Sequence, residues 1–456
     1  MQWLRSARRL WNFFGRAGHL PLVVPTLSLL AGCADDRPPS PTSDNTSVEN
    51  VVTDPPDTTS SGSDGGVAGH AGADGSVADA AAHDASTADG GSPALPDRPV
   101  SVPADSERLV VTDARAKKVY VVDSATFATV LELDAEAGSH VVAGPSALYA
   151  YVWSSLGGLK VLDGGFRTQA PRAGRGEVVL SLAAPAWLAL STEGLGPRAL
   201  TVSSNTLAVS FSQEPRAAFF TEDDLPAAIA ATDVNTGVVH DGVALSVGNL
   251  RVVSQGHDEP SPSTLRVAGA NLDIPGCTNP NLAASAPNVG AVACAEGLAY
   301  LSQSSTGRLL SRVEPLAEGA VSQLRGARDA PIFAAITGDG HDVVLLGGAS
   351  AGTAHFETRV VALAFATSGK QLLALLATGE LASVSTTSMA ESSTRIATGC
   401  VSADDALRPD LVHGVHATYL TCPSQGEVRE LAAGTFELGP VHKLGVAPSE
   451  LVSLTF

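Results

Sequence analysis

The sequence predicts an all-β fold: a single β-propeller, with eight four-stranded blades as the leading count and seven as the alternative. Three observations carry this. The 350 residues from 107 to 456 are rich in Val, Leu, Ala, Gly and Ser, with period-2 apolar strands and few helix-length apolar faces. A phrase of strand, turn and second strand recurs about every 44 residues, the spacing of a propeller blade. The chain ends on SELVSLTF with no turn or strand after it, while the first unit lacks a strand before RLVVTD. Pairing that last strand with the first unit closes the ring and leaves no free sheet edge.

In chain order, residues 1–32 read as a secretory signal. Arg5, Arg8, Arg9 and Arg16 form a basic region, and the apolar stretch from Leu20 to Leu30 is too short to span a bilayer. Leu30-Ala31-Gly32-Cys33 resembles the lipobox of bacterial lipoproteins, which implies that Cys33 is acylated and becomes the first residue of the mature chain. Ala34 rather than aspartate after it points to the outer membrane. Arg8-Arg9 raises twin-arginine export, although Leu10-Trp11 fits that pattern poorly.

Residues 33–106 read as the lipidated cysteine and an acidic tether. From 34 to 106 there are 13 acids, 2 arginines and no aromatic residue, a composition that cannot offset its own conformational entropy. His70 and His83 lie in it and suggest no joint function. With the tether's net −11 and the signal's +4 set aside, the propeller domain, 107–456, carries −12. That argues against nucleic acid or an anionic lipid surface as partner.

The eight second strands read as RLVVTD (Arg108), LYAYVW (Leu148), TLAVSF (Thr206), LRVVSQ (Leu250), AVACAE (Ala291), IFAAIT (Ile332), QLLALLA (Gln371) and ATYLTC (Ala417). Short inner strands precede them, as in SHVVAG and HDGVALSV. The long step from 148 to 206 holds an extra segment, APAWLALSTEG, either a loop or a further strand pair.

Four cysteines besides Cys33 occupy equivalent places in the repeat. Cys294 and Cys422 fall in second strands, and Cys277 and Cys400 fall shortly before the inner strand that precedes each. In an exported chain this predicts Cys277–Cys294 and Cys400–Cys422 disulfides. A tetracysteine zinc site needs closer spacing within each pair.

The stretch HDGVALSVGNLRVVSQG, the cysteine that follows it, VGAVACAEG, and the ending ATYLTCPSQGEVRELAAG…LGVAPSELVSLTF resemble the periplasmic zinc-chaperone propellers of the AztD type. The resemblance implies a periplasmic protein that passes zinc to the binding protein of a zinc ABC importer. Several of that family's metal positions differ here. His240-Asp241 stands where the family has paired histidines. Asn281 and Ala283 stand where it has a histidine and a glutamate, and Arg198-Ala199 where a histidine is expected. The resemblance therefore implies a divergent member with weakened zinc binding.

Inner strands of a propeller begin around one mouth of its channel. Those starts include His140, Arg198, His240, Asp241, Asn281, Gln323, Arg359, Asp410 and Glu450. The metal candidates are His240, with His140 and Asp241 as partners; Asp410 and Glu450 supply further oxygen ligands. The competing reading is a polar funnel that binds something else. His413 and His416 form an H-x-x-H whose side chains would point to opposite faces if both lay on a strand. Gly348-Ala349-Ser350-Ala351-Gly352 matches a nucleophile elbow, but TAHFETRVV after it reads as strand where an elbow needs a helix. The expected function is binding of a small ligand or periplasmic protein without catalysis, with a divergent zinc chaperone as the alternative.

Overall fold

The computed structural model describes residues 105–456 except for 137, 170–178, 189–195, 223–224, 226–230, 259–260, 271–272, 317–319, 348–349, 392–394 and 401–406. It also describes 50–51, 100–101 and 103. The signal, Cys33 and nearly all of the tether, including His70 and His83, lie outside the described residues.

Eight four-stranded antiparallel blades follow one another along the chain. In seven of them the strands run in chain order, innermost first. Blade one is the exception: its inner strand is Pro448–Thr455, paired with Glu107–Asp113 from the other end of the domain. The terminal strand thus closes the ring as the repeat predicted. All eight second strands lie where the periodicity put them, from Glu107–Asp113 to Ala417–Cys422.

These strands form because their residues are buried on both faces. Ile332–Thr337 (IFAAIT) and Gln371–Leu376 (QLLALL) are buried at every position after the first. A blade sandwiched between two neighbours needs such continuous apolar runs. The core is accordingly eight clusters, one at each interface between adjacent blades. Side chains such as Leu207 and Val209 of blade three meet Tyr151 and Val161 of blade two.

The long step resolves into structure. Phe166–Gln169 and Val179–Leu182 pair as a hairpin outside the blade, and Ala186–Leu188 returns as the fourth strand of blade two. Arg108 anchors the base of this hairpin by donating to the carbonyls of Gly164 and Ala183. Val100–Ser101 pairs with the hairpin, and Asn50–Val51 with the outer strand of blade five, so two short pieces of the expected tether meet the domain.

Both disulfides are present, with Cα–Cα distances of 5.0 Å for Cys277–Cys294 and 5.4 Å for Cys400–Cys422. They join adjacent blades rather than strands of one blade. Cys277 lies on the outer strand of blade four, Asp273–Thr278, and Cys294 on the second strand of blade five. Cys400 follows the outer strand of blade seven, and Cys422 ends the second strand of blade eight.

A second kind of tie repeats around the ring. Glu222 of blade three accepts from the Tyr151 hydroxyl at 3.0 Å and the Ser146 amide at 2.9 Å in blade two. Glu107 of blade one accepts from the Tyr419 hydroxyl at 2.8 Å and the Val415 amide at 2.9 Å in blade eight. Both tyrosines are the third residue of a second strand. The approach is close enough that a Cβ on Gly144 or Gly414 would strike the glutamate oxygen. Burial is the main reason that both phenols are pushed well above their ordinary ionisation range.

Candidate functional site

At the start of an inner strand, β-bulges bring successive residues to the mouth. An undisturbed strand would alternate its side chains between two faces. The pairing skips Arg198 in blade three, Ser322 in blade six and Val361 in blade seven. In blade one the two residues Ser449 and Glu450 stand against Thr112 alone. Such bulges bend the strand and re-aim side chains.

Ser322, Val361, Ser449 and Glu450 thereby line a cavity of about 640 Å³, together with residues that open the inner strands of blades two, seven and eight. Of the nine mouth residues expected from the repeat, His140, Gln323, Arg359, Asp410 and Glu450 meet in this cavity. Its volume lies in the range of small-molecule sites.

The acids of the cavity wall are committed. Asp410 accepts from Arg325 Nη2 at 2.9 Å and from the Leu451 amide at 3.3 Å. Glu450 accepts from His140 Nδ1 at 2.6 Å and from the Val141 amide at 3.0 Å. Both oxygens of each carboxylate are thus used. Burial pushes the Asp410 carboxyl above its ordinary value despite Arg325. Burial acts against charge on the His140–Glu450 pair as well, but their mutual hydrogen bond and attraction outweigh it: His140 is raised and Glu450 is lowered. The His140 ring also lies 4.3 Å from the Trp153 ring, centroid to centroid, at the border of a smaller pocket of about 250 Å³ that includes Leu156 and Arg198.

Donors are less committed. Arg325 spends one N–H on Asp410. Arg408 is exposed and makes no ion pair or hydrogen bond with the described residues. Arg359 lays its stem over Gly340, where a Cβ would come 2.6 Å from its Cγ; Gly340 has φ +95°, so glycine suits the position twice over. The Gln323 side-chain oxygen is buried without a partner.

The remaining expected mouth residues are elsewhere. Arg198 and Asp241 pair with each other at 3.4 Å. His240 is held at both ring nitrogens, Nδ1 at 2.8 Å from the Val238 carbonyl and Nε2 at 2.8 Å from the Ser254 hydroxyl. Asn281 donates its backbone N–H to the Ala293 carbonyl at 3.0 Å. The zinc candidates His140, His240 and Asp241 are therefore each bonded to a different neighbour. Among the described residues no group of three or more His, Cys, Asp or Glu side chains is placed to hold a metal ion. His413 ends the inner strand of blade eight and meets Thr418, whereas His416 lies in the turn beyond it and meets the Asp105 carbonyl. A turn, not two faces of one strand, separates that pair. Ser350 opens the outer strand of blade six, Ser350–His355, and no helix follows.

Arg325 and Arg408 escaped the sequence reading. A signal was there. Blades six, seven and eight each carry an arginine in or just before the inner strand, in VSQLRG, ETRVVA and ALRPDL.

The fold and site define an eight-bladed propeller with a polar cavity at the mouth of its channel. No family model and no curated protein matches the sequence. Among solved structures, the chain is similar to Citrobacter koseri AztD, in a crystal structure and in an apo form. Each has a TM-score of 0.68 and 20% identity, covering 77% of this chain and 98% of that one. It is also similar to the dihydro-heme d1 dehydrogenase NirN in complex with DHE, with a TM-score of 0.52 and 12% identity, covering 78% of this chain and 77% of that one. The chain thus has an AztD-like propeller fold.

Proposed function

We propose that this protein is an exported propeller, lipid-anchored through Cys33 on the periplasmic side of the envelope and most simply at the outer membrane, that binds a ligand at its channel mouth without catalysis. The observation that supports binding is the mouth cavity of about 640 Å³, built where the inner strands of five blades begin, three of them bulged. A small molecule fits that volume; a segment of a periplasmic protein is the other occupant considered. The Ser350 motif offers no nucleophile elbow, and the −12 domain disfavours nucleic acid.

The test is a thermal-shift screen of small metabolites and metal ions against the native protein and Ser322→Trp, which fills the cavity. Ligands that stabilise the native protein and not the variant support the site. Ligands that stabilise both equally place binding elsewhere and sink it. For the anchor, Cys33→Ser is expected to move the protein from the membrane to the soluble fraction, since no helix among the described residues is long and apolar enough to cross a membrane and acylation would supply the anchor.

A zinc-delivery role is the second reading. It draws on the likeness to AztD and on His140 at the mouth, whose Nε2 is not used by Glu450. Zinc needs lone pairs, however, and those of His240, Glu450 and Asp410 already accept hydrogen bonds. Zinc calorimetry on the native protein, His240→Ala and His140→Ala tests it. Tight binding lost in either variant would favour delivery over the first reading.

A further inference from the structure

Resting on the reading of the mouth as a ligand site, the pattern of used and unused hydrogen-bonding groups identifies the chemistry of the ligand. Every carboxylate oxygen of Asp410 and Glu450 is occupied by a donor from the protein itself. A cationic ligand would have to displace Arg325 or His140 to reach them. Asp339, at the rim, already accepts from the His341 amide through one oxygen. The guanidinium groups are in the opposite condition. Arg408 has no partner among the described residues, and Arg325 has spent one of its five N–H donors. The domain as a whole carries −12, so an arginine at a cavity rim with no described partner runs against its general charge.

We propose that the mouth cavity binds a small oxyanion, an organic carboxylate or a phosphate, through Arg408 and the open edge of Arg325. The planar guanidinium fork matches both groups bidentately, in hydrogen bonds about twice as strong as neutral ones. His140 lines the same cavity and, when protonated, has Nε2–H as a further donor beside the Nδ1–H given to Glu450. The buried Gln323 oxygen has no partner among the described residues, and it suits a hydroxyl or N–H elsewhere on the same ligand. The occupant is thus an anion with one donor group, not a bare ion pair partner.

The test is isothermal calorimetry on the purified protein with four probes: citrate, inorganic phosphate, glucose and putrescine. Saturable binding is expected for citrate or phosphate and not for putrescine; which of the two binds decides between carboxylate and phosphate. Arg408→Gln is expected to weaken that binding about tenfold or more, the loss of a charge-assisted hydrogen bond. Because Arg408 is exposed and has no partner among the described residues, this variant is expected to melt at the native temperature. Raising the salt concentration is expected to weaken binding in the native protein more than in the variant. No citrate or phosphate binding at millimolar concentration would overturn the inference. So would oxyanion binding that Arg408→Gln leaves intact. Glucose or putrescine binding that Ser322→Trp abolishes would also overturn it, while leaving the mouth standing as a ligand site.

Discussion

The two halves of the mouth are built from the same repeat but treat their polar residues in opposite ways. In the arc of blades six, seven, eight, one and two, strand starts converge on one cavity, Asp410 and Glu450 are paired on its wall, and Arg325 and Arg408 keep donors that no described residue uses. In the arc of blades three, four and five, Arg198 and Asp241 neutralise each other and His240 is tied at both nitrogens. Equivalent positions in a repeat reach the same rim. Their partners decide whether they are available to a ligand.

The disulfides sharpen this contrast most. Each staples adjacent blades across a buried cluster, one in each arc. Closing loops of 17 and 22 residues is worth about 3 kcal/mol apiece in the chain-entropy model. Replacing either pair by serines is expected to lower stability in urea by up to about that amount. The two replacements are expected to differ at the mouth. Thr421, beside Cys422, holds the Asp410 amide at 2.6 Å, so losing Cys400–Cys422 disturbs the cavity wall. Ligand affinity is expected to fall in that variant and to hold in the Cys277–Cys294 variant. Equal losses would erase the distinction between arcs.

The ion pairs give a smaller difference. Arg325→Ala leaves a buried carboxylate without its cation; because Arg325 is itself part-exposed, solvent screening reduces the cost to about 1–2 kcal/mol. Arg198→Ala breaks a pair exposed on both sides and is expected to cost at most about 1 kcal/mol. Chemical denaturation of the two variants checks the order; the reverse order would place the buried pair in the wrong arc.

The smallest effect is in pH. His140 is raised above its ordinary 6.5, so its contribution is full below 6.5 and is lost as pH rises through the folded value. Glu450 is held below its ordinary 4.5, so its contribution is full above 4.5 and is lost as pH falls through the folded value. The pair therefore stabilises most between 4.5 and 6.5. The melting difference between native protein and His140→Gln is expected to peak in that window, and a pH-independent difference would rule the pair out as a contributor. Asp410 has the opposite sign: its raised folded value makes acidification through that value stabilising.

Blade count, closure and cysteine pairing were legible because each rests on local pattern repeated at a fixed period. Alternating apolar residues and turns place the second strands, and position within the repeat pairs the cysteines. The hairpin of Phe166–Gln169 and Val179–Leu182 was not legible. Its strands have four residues each, and its base is fixed by Arg108 from another blade. The commitments at the mouth were illegible for a related reason. Glu450 reaches His140 across 310 residues, and Arg325 reaches Asp410 across 85. Periodicity locates the rim; only the closed ring shows which rim residues meet. The bulges add to this, since one extra residue changes where Ser322 and Glu450 point without changing the apolar pattern.

Hydrogen-exchange mass spectrometry, with and without a saturating concentration of whichever oxyanion probe binds, tests the contrast between arcs most directly. Slowed exchange is expected at 322–325, 359–361, 408–410 and 449–450, with none at 197–202 or 238–244. Protection confined to the second group would contradict the assignment of the ligand site to the arc that closes the ring.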